Sequence, residues 1–246
     1  RNGNHLELTS AGETFYEKAK DLLKHSTEMQ NEFLELGNRI PILKIGIPPM
    51  FSTIFFPEVI NAFELHHPDI QIELDEFGSV RACNLVQEEK LGLAIVNMEQ
   101  FNIDKFESRV LAKEQLVYVV SKNHPMSGKK YMTIEDFKDE KLVMFNVDSV
   151  QNELLKNRFD GLNISPHIIM RSSQLYTTLK FVDKGNCGCF LLSDMLPHFR
   201  EYVGIPLKPS IDVKIGIIWK KENFLSHSAQ LFIDFAMQYC SENITT

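Results

Sequence analysis

The sequence lacks several things, and each absence narrows the function. No apolar run approaches the roughly 20 residues a membrane-spanning helix needs. Positive charge is not in excess: 26 Lys and Arg stand against 33 Asp and Glu, a net charge of −7. That argues against strong nucleic-acid binding through a basic surface of this stretch itself. There is no G-x-S-x-G, no H-E-x-x-H, no P-loop and no G-x-G-x-x-G. Nothing pairs a nucleophile with a base, so the chain reads as a non-enzyme with no cofactor and no metal.

Only four cysteines occur, Cys83, Cys187, Cys189 and Cys240, and none has zinc-site spacing. Cys187-Gly188-Cys189 lies in an apolar run, where free cysteine behaves as a small hydrophobe. A redox or metal role for that pair is the lesser reading, and a reducing cytoplasm is the natural compartment. His66-His67 is an adjacent pair, which does not face one site on a helix and reads as a solvated helix end. The first residue is Arg1, with no basic-then-apolar leader ahead of the body, so the chain reads as the remainder of a longer protein.

What is present begins with Leu8 to Leu36. Phe15, Ala19, Leu22, Ser26, Met29, Phe33 and Leu36 alternate at spacings of four and three, the seam of a coiled coil. Thr9 or Ser10 is the expected cap, with Glu13 as capping-box partner of Ser10. Gly37-Asn38 and Pro41 end the helix. So narrow a stripe calls for a second helix, most simply a copy of itself. The alternative is packing on the body of its own chain.

Beyond Pro41 the pattern alternates strand and helix. Strands are expected at Ile42–Ile47, around Ile70–Leu74, at Leu91–Val96, at Phe106–Lys113 and at Leu116–Val120. Helices are expected from Ser52 to Leu65, with Pro57 in the first turn, and from Gly78-Ser79 to Glu89. A second round has strands at Lys141–Phe145, His167–Met170, Gly188–Leu192 and Val213–Trp219. Its helices start near Asp148 or Ser149 and near Ser172 or Ser173, and a last helix carries Ala229, Phe232, Ile233 and Ala236 on one face. The fold class is therefore α/β, in two successive halves near 42–115 and 116–221 plus a terminal helix, hinged around a cleft.

Small polar residues recur just after the strands: Ser52 and Thr53, Gly78 and Ser79, Asn97, Asp148 and Ser149, Ser172 and Ser173. Backbone N–H groups at helix starts, helped by hydroxyls, form an anion site without catalytic groups. Taken singly, each residue is more simply a helix cap.

Arg1 through Gly12, with Leu6 and then Leu8-Thr9-Ser10-Ala11-Gly12, resembles the end of the winged helix-turn-helix of LysR-type transcriptional regulators. Leu43-Lys44-Ile45-Gly46 is similar to that family's first effector-domain strand. Phe63-Glu64-Leu65-His66-His67-Pro68 resembles its F-x-x-x-Y-P, His124-Pro125 its H-P, and Gly188-Cys189-Phe190-Leu191-Leu192 its G-I-A-L-L strand. Four places depart from the pattern: Asn4 for a wing arginine, Lys90 and Gly92 for Gly and Asp, Ser193 for proline, and Pro48-Pro49-Met50 where Ser or Thr is common.

The resemblance implies a wing remnant at 1–9 and a dimerising linker helix at 10–38. It further implies a type II periplasmic-binding-protein-like region, with subdomain I at 42–115 plus 222–246 and subdomain II at 116–221. The loops from Pro49 and Met50 to Thr53, and from Val147 to Ser149, would join Gly78, Ser79, Asn97, Ser172 and Ser173 around a small, anionic effector. Homodimers and homotetramers, and promoter DNA bound through an absent N-terminal domain, follow from the same resemblance. A stand-alone solute-binding protein shares the two-lobed body and is the alternative.

Overall fold

In the computed structural model the described residues are 8–36, 40–53, 55–99, 105–147, 149–221 and 225–243. The wing residues 1–7 and the helix stop at Gly37-Asn38 lie outside them, as does Asp148.

Helix α1 spans Ser10–Leu36. Its cap is Thr9, whose hydroxyl accepts the Gly12 N–H at 3.1 Å. Since Thr9 is the cap, the residue three places on is Gly12, and the expected Ser10–Glu13 box does not form. Along the seam Phe15, Leu22, Met29 and Phe33 are exposed, and Ala19 and Ser26 are half-buried. The described part of α1 therefore does not bury its stripe on the body of its own chain.

The body starts with β1 (Ile42–Ile47), which pairs in parallel with β2 (Gln71–Glu76) and β3 (Leu93–Asn97). Between them lie α2 (Pro49–Thr53), α3 (Phe55–His66) and α4 (Ser79–Gln87). Helix is described from Pro49, ahead of the expected Ser52, and Ile54 between α2 and α3 lies outside the described residues. Pro49 opens α2, and Pro57 sits in the first turn of α3, where its missing N–H costs no helical bond. Every residue of β3 is buried, as expected for a strand covered on both faces.

Next comes β4 (Phe106–Ser121), one strand of 16 residues where the sequence suggests two. From Phe106 to Gln115 it pairs antiparallel with β9 (Asp212–Lys220). From Leu116 onward it pairs with β7 (Cys189–Leu192), and from Val117 also with β8 (Tyr202–Pro206). The change of partner falls between Gln115 and Leu116, so β4 belongs to both lobes. β9 brings the chain back beside β3, giving the order β2-β1-β3-β9-β4-β7.

The second lobe adds β5 (Lys141–Met144) and β6 (His167–Arg171), paired in parallel, with α5 (Val150–Gly161) and α6 (Leu175–Gly185). β8 and the 3-10 turn Ser193–His198 are not foreseen from the sequence. Helix α7 (His227–Asn243) packs on the first lobe. There Phe232 meets Phe63 and Phe56 with ring centroids 5.2 and 6.1 Å away. In the second lobe Tyr118, Phe137 and Phe190 form a compact ring cluster, with centroids 4.8 to 5.5 Å apart.

Candidate functional site

Between the lobes lies a cavity of about 260 Å3. The first lobe contributes Pro48, Pro49, Met50 and Phe51 from the start of α2, then Glu76, Phe77, Gly78, Ser79 and Arg81 around the start of α4, and Asn97 at the end of β3. The second lobe contributes Phe145, Asn146, Ser149, Val150 and Gln151 around the start of α5, and Ser173 just before α6. Leu116, Leu192 and Val213 form the floor, where β4 changes partner.

Four helices thus begin at this cavity, the short α2 and the longer α4, α5 and α6, and the caps of the longer three are described. Their N-cap residues, Gly78, Ser149 and Gln174, make no side-chain capping bond. Each helix start carries partial positive charge from backbone N–H groups that the helix itself leaves unpaired. Ser149 therefore occupies the expected cap position without acting as a side-chain cap. The cap of α6 is Gln174 rather than a serine, and Ser172 Oγ accepts the Gln174 N–H at 3.1 Å.

The walls are braced from within. Ser79 Oγ accepts the Asn97 N–H at 3.0 Å, tying α4 to β3. Gln151 is buried and donates to the Phe190 carbonyl at 2.7 Å. Arg171 donates to Asn152 Oδ1 at 2.5 Å and to the Phe145 carbonyl at 3.3 Å, which clamps the loop before α5 against its first turn. Ordering before a ligand arrives lowers the conformational cost of binding. The charged side chains among the described lining residues are Glu76 and Arg81. Arg81 lies over the Phe77 ring, 4.7 Å from its centroid, and Glu76 receives the Ser52 hydroxyl.

Of the residues singled out in the sequence, Pro49, Met50, Gly78, Ser79, Asn97, Ser149 and Ser173 meet at this cavity. Ser52, Thr53, Val147 and Ser172 are not in its wall. Ser52 turns to Glu76, and the Thr53 hydroxyl donates to the Pro49 carbonyl at 2.8 Å. Val147 stands 74% exposed. Sequence reasoning passed over Phe145, Gln151, Arg81, Leu116 and Leu192. The apolar ones look like ordinary core, and only the paired lobes give them a common void.

All four cysteines are buried free thiols. Burial pushes Cys83 and Cys240 up to about 12 and also raises Cys187 and Cys189. Thiols held protonated in this way are poor nucleophiles, which weakens the redox reading of Cys187 and Cys189. Among the described residues no group of His, Cys, Asp and Glu has metal-binding geometry, and no helix is long and apolar enough to cross a membrane.

Two α/β lobes sharing crossover strands around a ligand-sized cleft make up a type II periplasmic-binding-like fold. The LysR substrate binding domain family matches residues 39–241, and the chain belongs to that family. It is 29% identical over 201 residues to the HTH-type transcriptional regulator YwbI of Bacillus subtilis (strain 168), covering 80% of this chain and 66% of the relative. The effector binding domain of QuiR in complex with shikimate superposes with a TM-score of 0.72 at 22% identity, covering 84% of this chain and all of that one. The regulatory domain of CcmR from Synechocystis PCC6803, in complex with 2-PG, reaches a TM-score of 0.75 at 18% identity with the same coverages. The relatives it matches, YwbI and the dual regulator GltC of Bacillus subtilis (strain 168) among them, are transcriptional regulators, not enzymes.

Proposed function

We propose that this chain is the effector-sensing and dimerising region of a cytoplasmic LysR-type regulator of transcription. A small molecule with one acid group and an apolar body binds between the lobes and favours one lobe arrangement over another. The observation that carries this reading is the convergence of three helix starts, none with a side-chain cap, on one cavity. Those helix ends attract an anion, and Met50, Phe51, Phe77, Phe145 and Leu192 supply apolar contact for the rest of the ligand. With Arg81 the single cation in the described wall and Glu76 opposing it, the site suits one negative group better than two.

The signal leaves the cleft through α1, whose exposed seam pairs with a second copy to make dimers, and dimers of dimers make the homotetramer. Promoter DNA is read by an N-terminal domain preceding α1. An exposed seam has no use in a monomeric solute carrier, which disfavours that alternative.

The test is a thermal-shift panel of acetate, benzoate, shikimate, alanine and succinate. A ligand at 100 times its Kd stabilises the folded state by about 2.7 kcal/mol. At least one monocarboxylate should raise the melting temperature, and Asn146→Trp, which fills the cavity from an exposed position, should abolish the rise. An equal rise in that variant sinks the site, and no rise from any acid sinks the anion reading.

A further inference from the structure

Behind the effector cleft, at the junction of the lobes, lies a second cavity of about 220 Å3. Met50, Phe51 and Leu192 stand in the walls of both. Its unusual residue is Glu114, which is only 8% exposed and sits on β4 two residues before the strand switches partners. The Glu114 carboxyl accepts the Ser193 hydroxyl at 2.8 Å and the Asp194 N–H at 3.4 Å. It also shares a hydrogen bond with the Asp194 carboxyl. These contacts tie the crossover strand to the turn that follows β7, across the point about which the lobes must move.

Among the described residues, no lysine or arginine lines the cavity around Glu114. Glu114 pairs with Val213, while the flanking Lys113 pairs with Lys214. Alternation along a strand puts those lysines on the opposite face, where Lys214 meets Glu99 at 3.4 Å. Among the described residues, the titratable groups lining the cavity from neighbouring elements are Glu58 of α3 and Asp194 and His198 of the turn. β9 contributes Ile215 and α7 the neutral Asn243. Burial first, and then the hydrogen bond to Asp194, raise the Glu114 carboxyl from 4.5 to about 7.

We infer that Glu114 is a proton-operated latch between the lobes, holding the Ser193–His198 turn against β4 when protonated and releasing it when ionised. As an acid, Glu114 donates to the Asp194 carboxylate while accepting from Ser193. Once ionised it loses that donated bond and faces Asp194 as a like charge. Release of the turn moves Leu192, and so a wall of the effector cleft. The consequence for effector affinity rests on the cleft reading above, whereas the latch itself does not.

The direction of the pH effect follows from the raised value. A carboxyl whose folded value lies above its free value contributes stability that is complete below 4.5 and is lost as pH rises through about 7. If the released state restores the ordinary value, release becomes about tenfold easier between pH 6 and pH 8 by linkage. Hydrogen exchange at residues 193–198, corrected for the intrinsic pH dependence of exchange, reads this without any effector. The wild-type protein should lose about tenfold protection there over that range.

Glu114→Gln keeps an acceptor for Ser193 but cannot ionise, so its corrected protection should be flat with pH. Asp194→Asn should move the wild-type midpoint below 7, towards the ordinary carboxylate range. His198 lines the same cavity, and His198→Gln should leave the transition in place. A flat wild-type profile, an unchanged slope in Glu114→Gln, an unmoved midpoint in Asp194→Asn, or loss of the transition in His198→Gln would each overturn the latch. Because no acid ligand is present, failure of the effector reading would leave these outcomes unaffected.

Discussion

The first and last helices of the chain both carry apolar stripes, yet they end in opposite surroundings. In α7, Phe232 and Ala236 are completely buried against α3 and β4. In α1, Phe15, Leu22 and Phe33 are 74%, 70% and 65% exposed. The difference lies in where the partner is encoded. Helix α7 follows β9, whose return to the first lobe delivers it onto a waiting apolar face. Helix α1 extends about 40 Å at the usual helical rise, and the described structure offers its stripe nothing of matching length. A helix stripe exposed in one chain is physically costly, because each large apolar side chain forgoes about 1.5–3 kcal/mol of burial. Another chain can supply that burial.

The largest effect that would sharpen this contrast is expected at α7. Phe232→Ala should destabilise the monomeric body by about 3–5 kcal/mol, as for other buried aromatic truncations, measured by denaturant unfolding. A loss below about 1 kcal/mol would mean that α7 is less integral than its burial implies. A smaller loss is expected at Gly188, where an added Cβ would collide with the Tyr118 ring. Gly188→Ala should cost about 1–3 kcal/mol by overpacking, and a neutral result would show that the ring cluster of the second lobe yields easily. The smallest effect on the folded monomer is expected at Phe33→Asp, within about 0.5 kcal/mol as for exposed positions. Yet in analytical ultracentrifugation that variant should weaken the dimer by burying an unpaired charge. If dissociation is unchanged, the α1 seam is not the contact between copies and the contrast with α7 loses its explanation.

The α/β order was largely legible because strand and helix periods differ and because prolines mark the breaks. Pro48-Pro49 ends β1, and the alternation of Val213, Ile215 and Ile217 marks β9. Two features escaped. β8 contains Gly204 and ends at Pro206, residues that weaken a strand signal although Ile205 is wholly buried. The polar pair Glu114-Gln115 looked like an interruption between two strands. It lies within β4, because Glu114 faces the junction cavity and Gln115 donates to Asp212 at 3.0 Å.

The candidate site divides in the same way. Small polar residues near the starts of α4, α5 and α6 were visible, since helix starts have recognisable chemistry. Where their hydroxyls point was not visible. Ser79 turns inward to Asn97, Ser52 outward to Glu76, and Ser172 to the Gln174 N–H two residues on. The first two choices depend on which strand is packed beside the helix, and the third is local.

By itself the sequence determined the heptad seam of α1 and the repeated strand–helix rhythm. These are local properties of periodicity and residue type, readable within a few turns of chain. Tertiary structure alone decided that β4 passes unbroken between two lobes. It also decided that Phe145, Gln151 and Leu116 share a void with Ser79, and that a glutamate meets a serine 79 residues away at the junction. The period of a strand fixes which face a side chain occupies. What that face meets is set by segments far away in sequence.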